Sequence, residues 1–194
     1  MFRFERFKQI SVDGAPVTEA NLRAWQQSVG YVPQDIFLTD ASISENIALG
    51  VPLEEIDETR VQRAAEIARI DGFIREELPE GYATTIGERG VRLSGGQRQR
   101  IGIARALYHD ADLIVFDEAT SALDNLTERE VMTAIDALPG DKTVLMIAHR
   151  LSTVKRCDRI IVLDQGRLVG LGSWDSLMQE NVAFRRIANL SEVA

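Results

Sequence analysis

Leu113-Ile114-Val115-Phe116-Asp117-Glu118 is an apolar run closed by two adjacent carboxylates, and the rest of the chain can be read outward from it. A continuous apolar strand fits a parallel sheet covered on both faces, because a strand with one wet face alternates instead. Parallel neighbours need helical crossovers, and the next segment supplies one. Val131, Ile135 and Leu138 recur at helical spacing, and Thr143–Ala148 follows as a second buried-strand run. Thr127 and Glu130 stand at capping-box spacing, which predicts a helix starting there. Ligands of open parallel sheets bind beyond the carboxyl ends of the strands, where Asp117 and Glu118 lie. Two neighbouring carboxylates in that place read either as a cation or proton-transfer site, or as a solvated acidic turn.

Upstream, Val29–Val32 reads as another strand, closed by Pro33 and delivering Gln34 to the loop beyond it. A helix over about 19–27 precedes it, and Ile10–Val12 with Asp13-Gly14 reads as a short strand and turn. Downstream, the strand Thr143–Ala148 delivers His149 at its own carboxyl end. Ile160–Leu163 and Arg167–Val169 form a predicted hairpin around Gln165-Gly166, and a last helix begins near Ser173 or Trp174. Between about Ser42 and Leu107 the pattern is helical: Val61, Ala64, Ala65 and Ala68 share one stripe, and Ile101, Ala104 and Leu107 share another. The expectation is one α/β domain over 1–194 with a helical subdomain at about 42–107.

Leu93-Ser94-Gly95-Gly96-Gln97 opens the second of those helices. Ser94 and Gln97 match a capping box, and two glycines in the first turn let backbone N–H groups and the helix dipole meet an anion closely. The alternative is a glycine-softened helix start with no ligand.

Bulk properties exclude several classes. The 194 residues carry a formal net charge of -8, the wrong sign for a protein that neutralises nucleic-acid phosphates. No apolar run approaches the ~18–20 residues needed to cross a bilayer. Cys157 is the only cysteine, so no internal disulfide forms. It reads as a packing residue, His109 as surface loop, and Trp25 and Trp174 as helix anchors.

In this order the motifs resemble the ABC ATPase family, a P-loop NTPase-like (RecA-like) α/β core with an inserted helical signature subdomain. Gln34 resembles the Q-loop, Ser94–Gln97 the signature, Leu113–Glu118 Walker B, Ser121–Asp124 the D-loop and His149 the switch histidine. Thr85–Gly90 looks like the X-loop of exporters, with Glu88 facing the membrane domain. The resemblance implies two such domains sandwiching ATP and Mg²⁺ head to tail. It implies that Glu118 is the general base, His149 a γ-phosphate contact, and Asp117 with Gln34 the Mg²⁺ ligands. Ser94, Gly95, Gly96 and Gln97 would grip the nucleotide of the opposite subunit, and Asp124 with Ser121 would act across the interface. The implied partners are a second nucleotide-binding domain and the transmembrane domain of an exporter, at the cytoplasmic face of the membrane.

One element of the family pattern has no match among these 194 residues: the phosphate-cradling loop G-x-x-G-x-G-K-[ST]. The family places it before Ile10, on a strand expected to pair beside the Walker B strand, so the core reads as incomplete at the N-terminus. Phe2, Phe4 and Phe7 do not replace the missing adenine-stacking aromatic. Two alternatives to a catalytic subunit remain: a non-catalytic module that lends its signature to a partner, and an ABC-fold DNA-repair ATPase, which the charge disfavours. The expected outcome for the isolated 194 residues is neither tight ATP binding nor hydrolysis; measurable turnover by the purified chain overturns it.

Overall fold

The computed structural model describes residues 10–87, 91–118, 124–148 and 150–191. In chain order its elements are β1 (Ser11–Val12), β2 (Ala15–Pro16), α1 (Leu22–Gln27), β3 (Val29–Val32), β4 (Ala41–Ser42), α2 (Ile43–Ile47), α3 (Glu58–Ile67), α4 (Asp71–Glu77) and β5 (Thr85–Ile86). The second half holds α5 (Gly95–Tyr108), β6 (Leu113–Asp117), α6 (Asn125–Asp136), β7 (Thr143–Ile147), α7 (Leu151–Val154), β8 (Ile160–Asp164), β9 (Arg167–Gly172), α8 (Trp174–Glu180) and α9 (Val182–Ser191).

The central sheet is parallel, in the order β3-β6-β7. Val32 pairs with Phe116 and Phe116 with Met146, so the three strands end together. This order corrects one expectation. β6 has neighbours on both sides, so a further strand cannot pair beside it; among the described residues the sheet can grow only at the outer edges of β3 and β7.

One face of that sheet is covered. Ile114 and Phe116 are buried there with Val32, beneath Ile101, Ile103 and Ala104 of α5 and Val131 and Ala134 of α6. The same apolar cluster runs on through α5 into Ile43, Ile47, Val61, Ile70 and Ile74, so α5 joins the sheet to the helices between Ser42 and Leu107. The other face is open: Tyr31 is 57% exposed, Leu145 44% and Ile147 50%. These residues share a side because Tyr31 pairs with Val115, and Val115 with Leu145. The apolar run of β6 led to an expectation of cover on both faces, and among the described residues only one is covered.

A second unit is formed by the hairpin β8–β9 with α8 and α9. Gln165 and Gly166 have φ of 46° and 73°, the positive pair that a tight two-residue hairpin turn requires. Ile160 and Val162 are buried against Leu177 and Phe184, and Trp174 meets Phe184 edge to face at 5.3 Å, an anchor as its sequence context implied. Trp25 does not anchor in this way: it is half-buried on α1, which contributes no buried residue.

Close approach of α5 to the sheet depends on Gly30. A Cβ there would lie 2.7 Å from the Ala106 Cβ and 3.0 Å from the Ala111 Cβ. Gly30→Ala should therefore cost about 1–3 kcal/mol, as overpacking does. Denaturant unfolding should show the midpoint falling with an unchanged slope; an unaltered midpoint would mean that α5 does not sit where described.

Candidate functional site

The carboxyl edge of the parallel sheet gathers three of the candidate residues. Asp117 ends β6 opposite Ile147, and the Glu118 amide donates to the Ile147 carbonyl at 3.0 Å. Gln34 follows Val32 by two residues, and Val32 is level with Phe116, so Gln34 leaves β3 at the level of the acid pair. Glu118 has φ of 50°. An L residue in the left-handed region costs about 1–2 kcal/mol, and such strain is concentrated at functional sites.

Tyr31 belongs to this group although its sequence context gave no signal beyond a tyrosine before Val32-Pro33-Gln34. From the open face of β3 its hydroxyl donates to Asp117 Oδ2 at 2.7 Å. That hydrogen bond raises the phenol pKa above its ordinary value, with desolvation and the carboxylate charge adding to it. The phenol thus remains a donor at neutral pH. No group of three or more His, Cys, Asp or Glu side chains is placed to hold a metal among the described residues. Asp117 and Gln34 offer hard oxygen donors of the kind Mg²⁺ takes one or two at a time, with substrate phosphates completing its shell.

The signature helix α5 starts as its sequence predicts. Gln97 N donates to Ser94 Oγ at 3.2 Å, and Ser94 N donates to Gln97 Oε1 at 2.7 Å, a complete capping box. Gly96 has a packing reason besides the anion-binding one: a Cβ there would lie 2.0 Å from Thr127 Cγ2 on α6. Arg100 Nη1 also reaches Glu130 Oε2 at 2.7 Å, so the starts of α5 and α6 are fastened side by side.

The start of α6 differs from the Thr127–Glu130 capping box expected from sequence. Asp124 is the cap: its Oδ1 accepts from the amides of Leu126 and Thr127 at 3.0 Å each, and Thr127 Oγ1 donates to its Oδ2 at 2.7 Å. Asp is a strong N-cap residue, and Glu130 is engaged by Arg100 instead. The hydrogen bonds from Thr127 hold the Asp124 carboxyl below the usual carboxylate range. His149, Ser121 and Glu88 lie outside the described residues, as do Phe2, Phe4 and Phe7.

Two inward-reaching polar residues on α5, one buried and one half-buried, were missed in the sequence. Gln99, 4% exposed, donates from Nε2 to the carbonyls of Gln34 at 2.6 Å and Pro33 at 3.3 Å. Arg105 donates to Asn46 O at 2.9 Å and Phe37 O at 3.1 Å, and burial lowers its pKa. Their signal was a polar side chain within a helix whose other inward residues are Ile101, Ile103, Ala104 and Ala106. His109 caps the far end of α5, exposed, with Nε2 at 3.1 Å from Leu49 O, and Cys157 is half-buried as expected.

Comparison with known proteins agrees in one direction. The family model "ABC transporter" matches residues 6–121, more than half of the chain. An ATP-dependent lipid A-core flippase of Cupriavidus metallidurans is 46% identical over 173 residues, covering 89% of this chain and 29% of that protein. The beta-(1→2)glucan export ATP-binding/permease protein NdvA of Rhizobium meliloti is 46% identical over 185 residues, covering 95% of this chain and 31% of that one. Among solved structures, a bacterial Atm1-family ABC exporter with ATP bound superposes with a TM-score of 0.78 at 40% identity, over 93% of this chain and 31% of that chain. The chain therefore spans 29 to 31% of the length of these relatives.

The packing account of Gly96 can be tested by a pair of substitutions. Gly96→Ala should destabilise by about 1–3 kcal/mol. Adding Thr127→Ser removes the offending methyl, keeps the hydroxyl for Asp124, and should restore most of the loss, a coupling in the range of about 0.5–3 kcal/mol. Equal costs of Gly96→Ala in both backgrounds would show that Thr127 is not the constraint.

Proposed function

We infer what this chain does from one premise: it belongs to the ABC transporter family. We propose that it is the larger part of an ATP-hydrolysing domain of an exporter, working at the cytoplasmic face of a membrane. Its partners are a transmembrane domain and a second nucleotide-binding domain. The observation that carries the reading is the common carboxyl edge of β3, β6 and β7, which places the Asp117-Glu118 pair level with Gln34.

In this reading Glu118 takes a proton from the water that attacks the γ-phosphorus of ATP. A new P–O bond forms from the water oxygen as the bond to the bridging oxygen of ADP breaks, and inorganic phosphate leaves. A base held at the strand end by the Glu118 N–Ile147 O hydrogen bond, with its backbone fixed at positive φ, needs little reorganisation. Asp117 and Gln34 would hold Mg²⁺, which when bound would supply positive charge to offset that of the phosphates. Tyr31 aligns Asp117 for that role by occupying Oδ2. His149 contacts the γ-phosphate. Ser94, Gly95, Gly96 and Gln97 present the α5 N-terminus to the nucleotide of the opposite domain, and Asp124, as the cap of the adjoining α6, meets the same interface. The residues from 42 to 107 form the helical subdomain that carries the signature. A strand ending in the phosphate-cradling loop and its helix fits the free edge of β7 and the open face bearing Tyr31, Leu145 and Ile147.

Glu118→Gln, made in the natural polypeptide that carries this chain, keeps the shape and removes the base. Phosphate release should fall by about 10²–10⁴-fold, the range for loss of a general base, while ATP remains bound. Unchanged turnover would remove Glu118 from this role.

A further inference from the structure

α5 touches the segment after β3 at three successive points. Gln99 holds the carbonyls of Pro33 and Gln34 at 3.3 and 2.6 Å, and Arg105 holds that of Phe37 at 3.1 Å. Between them Gly102 receives Ile36: a Cβ at Gly102 would lie 2.5 Å from Ile36 Cδ1. Residues 99, 102 and 105 are spaced by three, so they form one winding row on the helix, and they meet residues 33 to 37 in chain order. Ile36 is buried in this groove, while the Gln34 side chain stays exposed at the sheet edge.

The orientation of the Gln99 amide is settled by its partners. Only the NH₂ end can face two carbonyls, so Oε1 points the other way, and among the described residues it has no hydrogen-bond partner although it is buried. An unsatisfied buried acceptor costs about 1–3 kcal/mol. A leucine or methionine at 99 would avoid that cost and fill the same space. Retaining a glutamine here is accounted for by its donor end, which is aimed at the main chain of Gln34.

We propose that Gln99 is a positioning residue for Gln34: its side-chain amide fixes the Gln34 main chain to the signature helix, so the α5 N-terminus and the metal-facing glutamine move as one body. The inference rests on the reading of Gln34 as a Mg²⁺ ligand given above. It assigns a coupling role to the row Gln99–Gly102–Arg105, through which a nucleotide gripped by Ser94–Gln97 would be felt at Gln34. The path is short and made of hydrogen bonds and one close-packed contact, with no loop in between.

The test uses the natural polypeptide carrying this chain, with Gln99→Met, which keeps the volume and loses the donor, and Gln99→Glu, which keeps the shape and turns a donor into an acceptor. Magnesium titrations of ATP hydrolysis should show the Mg²⁺ concentration for half-maximal rate rising by about threefold or more. The kcat should fall by about tenfold, equivalent to roughly one net hydrogen bond, with the KM for ATP changed by less than about twofold. Hydrogen exchange should be faster at the amides of 34–38 and unchanged along α5. A fall in kcat with the Mg²⁺ requirement unmoved would mark Gln99 as merely structural and overturn the proposal, and so would unaltered exchange at 34–38. If the unsubstituted protein hydrolyses no ATP, the proposed function fails, and the exchange measurement alone decides this inference.

Discussion

The parallel pairing of β6 between β3 and β7 is the constraint on which the other features depend. Evenly spaced backbone hydrogen bonds fix Val32, Phe116 and Met146 in one row, and the carboxyl ends of all three strands then share one edge. Two carboxylates in sequence would otherwise be a solvated turn. Placed on that edge, with the amide of Glu118 tied to Ile147 and its φ at 50°, they are directed groups in a defined position. The same register puts Tyr31 diagonally across from Asp117, which is why a phenol on one strand can reach a carboxylate on the next.

α5 converts that local arrangement into a longer-range one. It packs across the covered face of the sheet, with Gly30 accommodating Ala106, and its N-terminus abuts α6 at Gly96 and Thr127. It continues into the helical cluster of Ile43, Ile47 and Val61. A helix buried on so many sides cannot shift at one end alone, because close-packed interiors transmit displacement instead of absorbing it. The signature capping box, the Asp124 cap and the Gln34 segment are thus different contacts of one rigid rod and its neighbours.

Where information was local, it was legible. The strands β6 and β7, the Ser94–Gln97 capping box and the Gln165–Gly166 turn each depend on residues within a few positions and formed where read, although β6 is covered on one face only and β7, read as buried, holds no buried residue. The start of α6 was misread because Thr127 and Glu130 satisfy the same template as Asp124, and only the contact of Glu130 with Arg100, on another helix, separates the two. The expected strand order came from the family resemblance and not from the residues, because apolar patterning identifies strands but not their neighbours. The second constraint on Gly96, from Thr127, and the grip of Gln99 on Gln34 are likewise contacts between distant positions. The candidate residues themselves were readable as types at strand and helix ends, and what bound them to one another was not.

The open face of the sheet bears on the chemistry as well as on stability. Parallel sheets are found covered on both faces, and here Tyr31, Leu145 and Ile147 form an exposed row beside the acid pair. Losing the Tyr31 proton would set a phenolate against the Asp117 carboxylate, so the phenol is held protonated and Asp117 retains a donor beside it. A carboxylate has about four acceptor positions, and one phenol hydrogen bond leaves room for a cation at the other oxygen. A layer placed over Tyr31 would lower the local dielectric and strengthen both the hydrogen bond and the attraction of Asp117 for a metal. Covering this face and strengthening the proposed metal site would therefore be one physical event, and a group that closed the sheet would also set the strength of that site at its edge.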